Sequence, residues 1–228
     1  MRFLAALFDL DGTLLDTIDD LADAANATLA DLSRSRLSRA IVQSYVGKGT
    51  EYLVMRCLAH DTGHADLEQT QHALARFTDH YRRLCGNKAT LYPGVLQGLR
   101  AFREQGLKMA VVTNKPTEFT LPLLRRKGIA EFFEHIVCGD TCARKKPDPM
   151  PFLHACSLLG VAPARALAVG DSNNDAVAAR AAGLAVLIVP YGYNEGLDVR
   201  TFQVDDIVTS IESASQWAAQ RQNDPIPS

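Results

Sequence analysis

The chain lacks several things that would each announce a function. No apolar run approaches the ~18 residues of a membrane-crossing helix, and the apolar stretch from Leu4 to Phe8 is cut off by Asp9 and Asp11. That stretch is too short for a secretory signal core, so no membrane contact and a cytoplasmic location are expected. An excess of either charge is also missing: 24 Lys and Arg stand against 26 Asp and Glu, a net charge of −2. No basic field draws the protein to nucleic acid, and an anionic partner has to be met by a few placed cations and backbone amides. Cysteine is scarce and odd in number, five residues (Cys57, Cys85, Cys138, Cys142, Cys156). That excludes a complete disulfide framework and suits free thiols, and the Cys138-x3-Cys142 spacing is not the usual zinc pair. What is abundant is apolar side chain, 47% of 228 residues, enough for a core in one large domain or two unequal ones.

The apolar pattern changes partway along. Leu4 to Phe8 reads as a buried strand ending in the turn Asp9-Leu10-Asp11-Gly12-Thr13. Ile18, Leu21, Ala22, Ala25, Leu29 and Leu32, at three- and four-residue spacing, predict a helix over 16–32, and helical patterns follow at about 37–46, 50–60 and 66–85. Gly86-Asn87-Lys88 breaks that run, and Tyr92-Pro93-Gly94 begins another regime. Helices at 94–105, 117–127, 149–159 and 173–182 then alternate with strands at 109–113, 136–138, 166–169 and 185–189. A last helix is expected at about 205–218, with Trp217 packed against the sheet and a frayed tail from Arg221 to Ser228. Continuous apolar strands separated by helices predict a parallel sheet covered on both faces. The fold class is therefore α/β, a Rossmann-like three-layer core with an all-helical domain inserted after the first strand. The expected division is 1–14 and 87–228 for the core and 15–86 for the insert.

In such sheets chemistry collects at the carboxyl ends of the strands. Asp9 and Asp11 follow the first strand, Thr113 and Asn114 the second, Gly170, Asp171 and Asp175 the fourth, and Lys146 lies in a proline-stiffened loop. Any one of these is ordinary: an acidic pair caps helices, Thr-Asn makes turns, and Arg144-Lys145-Lys146 is a basic loop. Their convergence on one edge is not ordinary. Asp9 and Asp11 project to the same side of an extended chain, about 6.5–7 Å apart, and a turn at Gly12 brings both to one hard cation. Asp9, Asp11 and Asp171 suffice as protein ligands for Mg²⁺, with Asp175 behind them to hold a bound water or the lysine. Lys146, Thr113 and backbone amides suit the oxygens of a phosphoryl group under attack by a carboxylate.

The residues Asp9-Leu10-Asp11-Gly12-Thr13, Thr113-Asn114, Lys146-Pro147 and Gly170-Asp171-x3-Asp175 resemble, in order, the four motifs of the haloacid dehalogenase superfamily. The resemblance covers essentially the whole chain, and the helical insert is placed like that superfamily's cap domain. It implies that Asp9 is a nucleophile that becomes an aspartyl-phosphate. Asp11 protonates the leaving alkoxide, later deprotonates the hydrolytic water, and gives its carbonyl to Mg²⁺. Asp171 is then the other carboxylate ligand, Thr113 and Asn114 contact the phosphate, and Lys146 is the charge clamp and a substrate contact. Dehalogenases of the superfamily lack an aspartate at the position of Asp11, since a halide leaves without a proton, so phosphate ester hydrolysis is implied.

The leaving group is chosen by the insert. Tyr45-Val46-Gly47-Lys48-Gly49-Thr50 sets a lysine between two glycines, where backbone approaches a small ligand closely and Lys48 pairs with a carboxylate; a plain helix–helix turn with a solvated lysine is the ordinary alternative. This loop, Leu91-Tyr92-Pro93-Gly94, Val112-Thr113-Asn114-Lys115 and Pro190-Tyr191-Gly192-Tyr193-Asn194 resemble segments of bacterial phosphoglycolate phosphatases. The resemblance implies a small phosphorylated acid as substrate, 2-phosphoglycolate first, although an acidic or amide residue would be expected where Lys48 stands. A cap lysine also acts as a Schiff base in a phosphonatase of the superfamily. Two other readings stay open: a phosphatase or phosphoglucomutase-like enzyme for a sugar phosphate, and a phospho-aspartate switch module. A monomer and a homodimer are both compatible with the sequence. His60 and His64 are spaced for a metal, but Gly63 interrupts them and no third ligand accompanies them; with His72 and His80 they are expected on a solvated face.

Overall fold

The computed structural model describes residues 2–222. Strand β1, Ala5–Phe8, is buried along its whole length, as a central parallel strand must be. The chain then makes a two-residue strand, Leu15–Asp16 (β2), and four helices: Ile18–Asp31 (α1), Arg39–Gln43 (α2), Thr50–Leu58 (α3) and Leu67–Leu84 (α4). It returns through Thr90–Leu91 (β3) to alternating structure: Val95–Glu104 (α5), Lys108–Val112 (β4), Thr117–Arg126 (α6), His135–Val137 (β5), Met150–Leu159 (α7) and Ala166–Gly170 (β6). Asn173–Ala181 (α8), Ala185–Ile188 (β7), Asp206–Ile207 (β8) and Ile211–Gln222 (α9) complete it.

Six strands form one parallel sheet in the order β5-β4-β1-β6-β7-β8. The register sets Ala5 beside both Lys108 and Ala166, so β1, β4 and β6 begin level and their carboxyl ends lie within one residue of one another. Alternate residues feed two apolar layers: Ala6 and Phe8 join Val111, Val169, Phe102 and Trp217 on one face, and Ala5 and Leu7 join Val112, Phe152 and Ile188 on the other. Trp217 stacks on Phe3 at 5.9 Å and donates from its indole nitrogen to Asp206 at 3.0 Å. A third apolar cluster lies among α1, α3 and α4, with Leu29, Leu53, Phe77 and Tyr81 at its centre; Phe119 of α6 and Tyr193 also enter it.

Several expectations need correction. The final helix begins at Ile211 rather than near 205, because Asp205 zips the preceding segment onto β7: its backbone N–H donates to Val186 O at 2.8 Å and its carboxylate accepts from Val186 N at 2.7 Å. The sixth strand, β8, follows from that pairing. Arg221 and Gln222 still belong to α9, and the remainder of the expected tail lies outside the described residues. The antiparallel ribbon β2–β3, Leu15 opposite Leu91, was not expected either, since two residues carry no periodicity. It sits where the chain leaves and re-enters the sheet layer. Beside it the buried Asp20 carboxylate accepts backbone N–H groups from Gly86 and Lys88 at 2.8 Å and Ala89 at 3.1 Å.

Candidate active site

Strand order reverses at β1, so its carboxyl end opens on the crevice where such sheets bind ligands. Asp9 follows Phe8 directly. The turn after it needs Gly12, whose φ of 91° is left-handed and where a Cβ would collide with the Asp171 carboxylate. That close approach brings the ends of β1 and β6 together. Carboxylate oxygens of Asp9, Asp171 and Asp175 lie within 4.8 Å of one another.

Lys146 is the cation of this cluster. Its ammonium lies 2.6 Å from Asp175 Oδ1, 2.8 Å from Asp9 Oδ1 and 2.7 Å from Val112 O, so its three donors are all used. The Lys146–Pro147 peptide is cis. Asn114 fastens this loop: its amide oxygen accepts Lys146 N–H at 3.0 Å, and its amide nitrogen donates to Lys146 O and Gly47 O, both at 2.9 Å. Asp175 caps α8 as well as pairing with the lysine. Its Oδ2 accepts Ser172 N–H at 3.1 Å and Ser172 O–H at 2.6 Å, a capping box, while Oδ1 serves Lys146. Asp171 accepts Thr13 O–H at 2.7 Å and the backbone N–H of Tyr193.

Burial among like charges dominates the electrostatics. Asp9 is pushed up to about 7, first by burial, against which Lys146 pulls down and Asp175 pushes up. Asp171 is raised well above the ordinary carboxylate range by burial and by the neighbouring Asp9 and Asp175. Lys146 is raised: burial works against its charge, but Asp175 and Asp9 outweigh burial. With Asp175 committed to Lys146 and Ser172, Asp9 and Asp171 bring hard carboxylate oxygens to within 4.8 Å of each other, and one lysine, Lys146, serves a cluster of three carboxylates. The donor set fits Mg²⁺.

A cleft of about 430 Å³, counting space open to solvent, runs from Asp9 to the helical layer. Asp11, Thr113 and Asn114 line the sheet side, and Gly47, Gly49 and Thr50 the helical side, where Leu21, Val46 and Leu53 make an apolar wall. Gly47 has φ 123°, and Asn114 reaches its carbonyl, so the glycine loop meets the sheet edge directly.

Two expected contacts are placed otherwise. Lys48 does not line this cleft: it points to Glu195, with Nζ 2.7 Å from Oε2 and 5.1 Å from the Tyr52 ring centre. Flanked by two left-handed glycines, it is carried to the outer side of the loop. Lys146, expected also to touch substrate, is not among the lining residues and has its donors committed to Asp9, Asp175 and Val112. Asp11 stands apart from the Asp9, Asp171 and Asp175 group; its carboxylate takes Thr17 O–H at 2.7 Å and the Lys115 ammonium at 3.1 and 3.2 Å. His60 turns its Nδ1 to Tyr45 O–H at 2.9 Å, and His80 meets Asp31 at 2.8 Å.

Sequence reasoning gave no role to Lys115, Tyr81 or Tyr193. Lys115 is buried and donates to Tyr81 OH of α4 at 2.7 Å. The Tyr193 hydroxyl accepts Thr17 N–H at 2.7 Å and Ile18 N–H at 3.0 Å, capping α1, and donates to Asp16 at 2.6 Å. The signals for Lys115 were its place directly after Thr113-Asn114 and its inclusion in the segment Val112-Thr113-Asn114-Lys115 that resembles phosphoglycolate phosphatases, neither of which gives it a role. Nothing in sequence pairs residues 81 and 193 with this edge.

A parallel α/β sheet with an aspartate cluster and a buried lysine at its switch point defines a hydrolase of the aspartate-based type. Residues 6–189 match the family model of the haloacid dehalogenase-like hydrolases. A phosphoglycolate phosphatase of Nitrosospira multiformis is 48% identical over 93% of this chain and 94% of its own. One of Thiobacillus denitrificans is 45% identical over 92% and 93%. The crystal structure of a predicted phosphoglycolate phosphatase from Haemophilus somnus superposes with TM-score 0.90 at 32% identity, covering 95% of this chain and 98% of that one. CbbY from Rhodobacter sphaeroides, in complex with phosphate, gives TM-score 0.79 at 28% identity, covering 92% and 96%. The chain belongs to the haloacid dehalogenase-like hydrolase family. No described helix is long and apolar enough to cross a membrane.

Proposed function

We propose that the protein is a phosphoric monoester hydrolase that converts 2-phosphoglycolate to glycolate and phosphate. The observation that carries this reading is Asp11 beside Asp9 on the cleft, a proton donor next to a nucleophile. The phosphoglycolate phosphatases to which the chain is similar supply the substrate. One Asp9 oxygen attacks phosphorus as the bond to the ester oxygen breaks, and Asp11 gives that oxygen its proton. Asp11 then takes a proton from water, which attacks the aspartyl-phosphate and returns Asp9 and phosphate.

The carboxylates of Asp9 and Asp171 and the Asp11 carbonyl would hold Mg²⁺, which supplies charge stabilisation for the phosphoryl oxygens. Thr113 and the backbone around Asn114 face those oxygens, while the Asn114 side chain fixes the Lys146 loop. Lys146 orients Asp9 and offsets its charge without leaving the Asp175 pair. Helices α1–α4 act as a cap domain over a catalytic core, joined by the β2–β3 ribbon.

The test is phosphate release from a panel of small phosphoesters with Mg²⁺, for the wild type and Asp9→Asn. A clear preference for 2-phosphoglycolate over sugar phosphates, abolished in Asp9→Asn, is expected. Equal, feeble rates across the panel would refute the substrate, and turnover retained by Asp9→Asn would refute the covalent route. Isomer in place of free phosphate would indicate a mutase, and a long-lived phospho-aspartate without release a switch.

A further inference from the structure

We propose that Lys115 is the specificity-determining residue for the substrate carboxylate, an assignment that rests on the 2-phosphoglycolate reading above. Lys115 is the one cation among the described residues that line the cleft. Of the other cations nearby, Lys146 is engaged with Asp9, Asp175 and Val112, Lys48 with Glu195, and Arg56 with the Tyr52 hydroxyl and the Tyr45 ring, while Lys145 is exposed and brings its ammonium against Gly49 without lining the cleft.

A lysine ammonium that is 3% exposed is costly unless its donors are met. Its partners here are few. Tyr81 OH takes one N–H at 2.7 Å, and the two Asp11 oxygens sit at nearly equal distances of 3.1 and 3.2 Å, an approach that a single N–H can bridge. An ammonium has three donors, so one remains for an oxygen arriving in the cleft.

The chemistry of the substrate places its carboxylate there. Asp11 serves the ester oxygen, and the carboxylate carbon of 2-phosphoglycolate lies two bonds beyond that oxygen. A group in contact with Asp11 thus carries its carboxylate toward the ammonium that Asp11 already touches. Charge balance points the same way. Asp9 and Asp11 already line the cleft, and a third carboxylate entering beside them without a counter-ion would be strongly disfavoured. On the helical side Leu21, Val46 and Leu53 leave Thr50 as the one hydroxyl, a poor surface for the several hydroxyls of a sugar.

The experiment measures kcat/KM for 2-phosphoglycolate and for ethyl phosphate, which has the same chain length without the carboxylate. Wild type, Lys115→Met and Lys115→Arg are compared, with thermal melts to establish folding. The wild type is expected to prefer 2-phosphoglycolate. Lys115→Met should reduce the ratio of the two kcat/KM values about 10- to 100-fold, the range for losing a charge-assisted hydrogen bond, chiefly through KM, and Lys115→Arg should restore part of it. A Lys115→Met variant that loses both activities equally would overturn the assignment, leaving the lysine a support for Asp11. A wild type with no preference would overturn the substrate reading and this assignment together. Should Lys115→Met fail to fold, product inhibition of the wild type decides: glycolate should compete far better than neutral glycolamide, and equal inhibition would refute the role of Lys115.

Discussion

Lys146 and Asp9 meet at 2.8 Å at the carboxyl end of β1, and the same ammonium holds Asp175 at 2.6 Å. Lys146 and Asp175 are nearly inaccessible and Asp9 opens only slightly, to the cleft, so one largely buried cation is shared between two anions. Replacing Lys146 by Met removes the cation and leaves both carboxylates buried without it. Loss of about 3–5 kcal/mol of stability is expected, together with a fall in phosphate release of at least about 100-fold from lost preorganisation. Urea melts and initial rates check the two effects. A variant that melts like the wild type and keeps its rate would show that the contact is incidental.

The raised Asp9 carboxyl gives a signed pH dependence. Its ordinary value of 3.8 rises to about 7 on folding, and Asp171 moves in the same direction. The folded protein therefore holds a proton that the unfolded chain has released, so the contribution is favourable at low pH and is lost as pH rises from about 4 through 7. Mg²⁺ held by these carboxylates would require them ionised and would compete with that proton. The stabilisation by Mg²⁺ should accordingly grow steadily between about pH 5 and pH 8. Melting temperatures with and without Mg²⁺ across that range provide the check, and a pH-independent increment would contradict the coupling.

The chemistry of the sheet edge was legible because its aspartates follow a strand or open a helix, strand ends show in the apolar pattern, and Lys146 stands directly before a loop proline. Asp9, Asp171, Asp175 and Lys146 could be gathered that way. Lys115 could not, because only the folded chain sets α4 and its Tyr81 above Thr113-Asn114-Lys115. Lys48 misled for a related reason. A lysine between glycines looks aimed at a ligand, yet the backbone angles at Gly47 and Gly49, φ 123° and 91°, decide its side, and these are not written in the sequence. The strands of two residues, β2, β3 and β8, were invisible because so short a segment has no period, and their pairing is set by partners far along the chain. The capping box at Ser172 and Asp175 unites two readings that sequence had set against each other, since one carboxylate caps the helix and holds the lysine.

Asp20 anchors the return of the chain from α4 to the sheet layer by accepting three backbone N–H groups, from Gly86, Lys88 and Ala89, while only 1% exposed. Replacing it by Ala leaves three buried or half-buried donors without an acceptor. A loss of about 3 kcal/mol or more is expected from the charge-assisted bonds, seen as a lower urea midpoint. An unchanged midpoint would mean that water serves these amides equally well.

Lys48 offers the sharpest contrast with Lys115. Its pair with Glu195 at 2.7 Å is well formed, but the two side chains are 39% and 23% exposed. Pairs so placed contribute less than about 1 kcal/mol, because water screens them and two long side chains lose freedom. Lys48→Met should therefore lower stability by less than that amount. It should also leave kcat/KM for 2-phosphoglycolate within about threefold of the wild type, since less than 1 kcal/mol separates rates by no more than a small factor. The same measurement on Lys115→Met should show a far larger drop. If Lys48→Met loses more than about tenfold while retaining its melting temperature, Lys48 must leave Glu195 for the substrate during turnover.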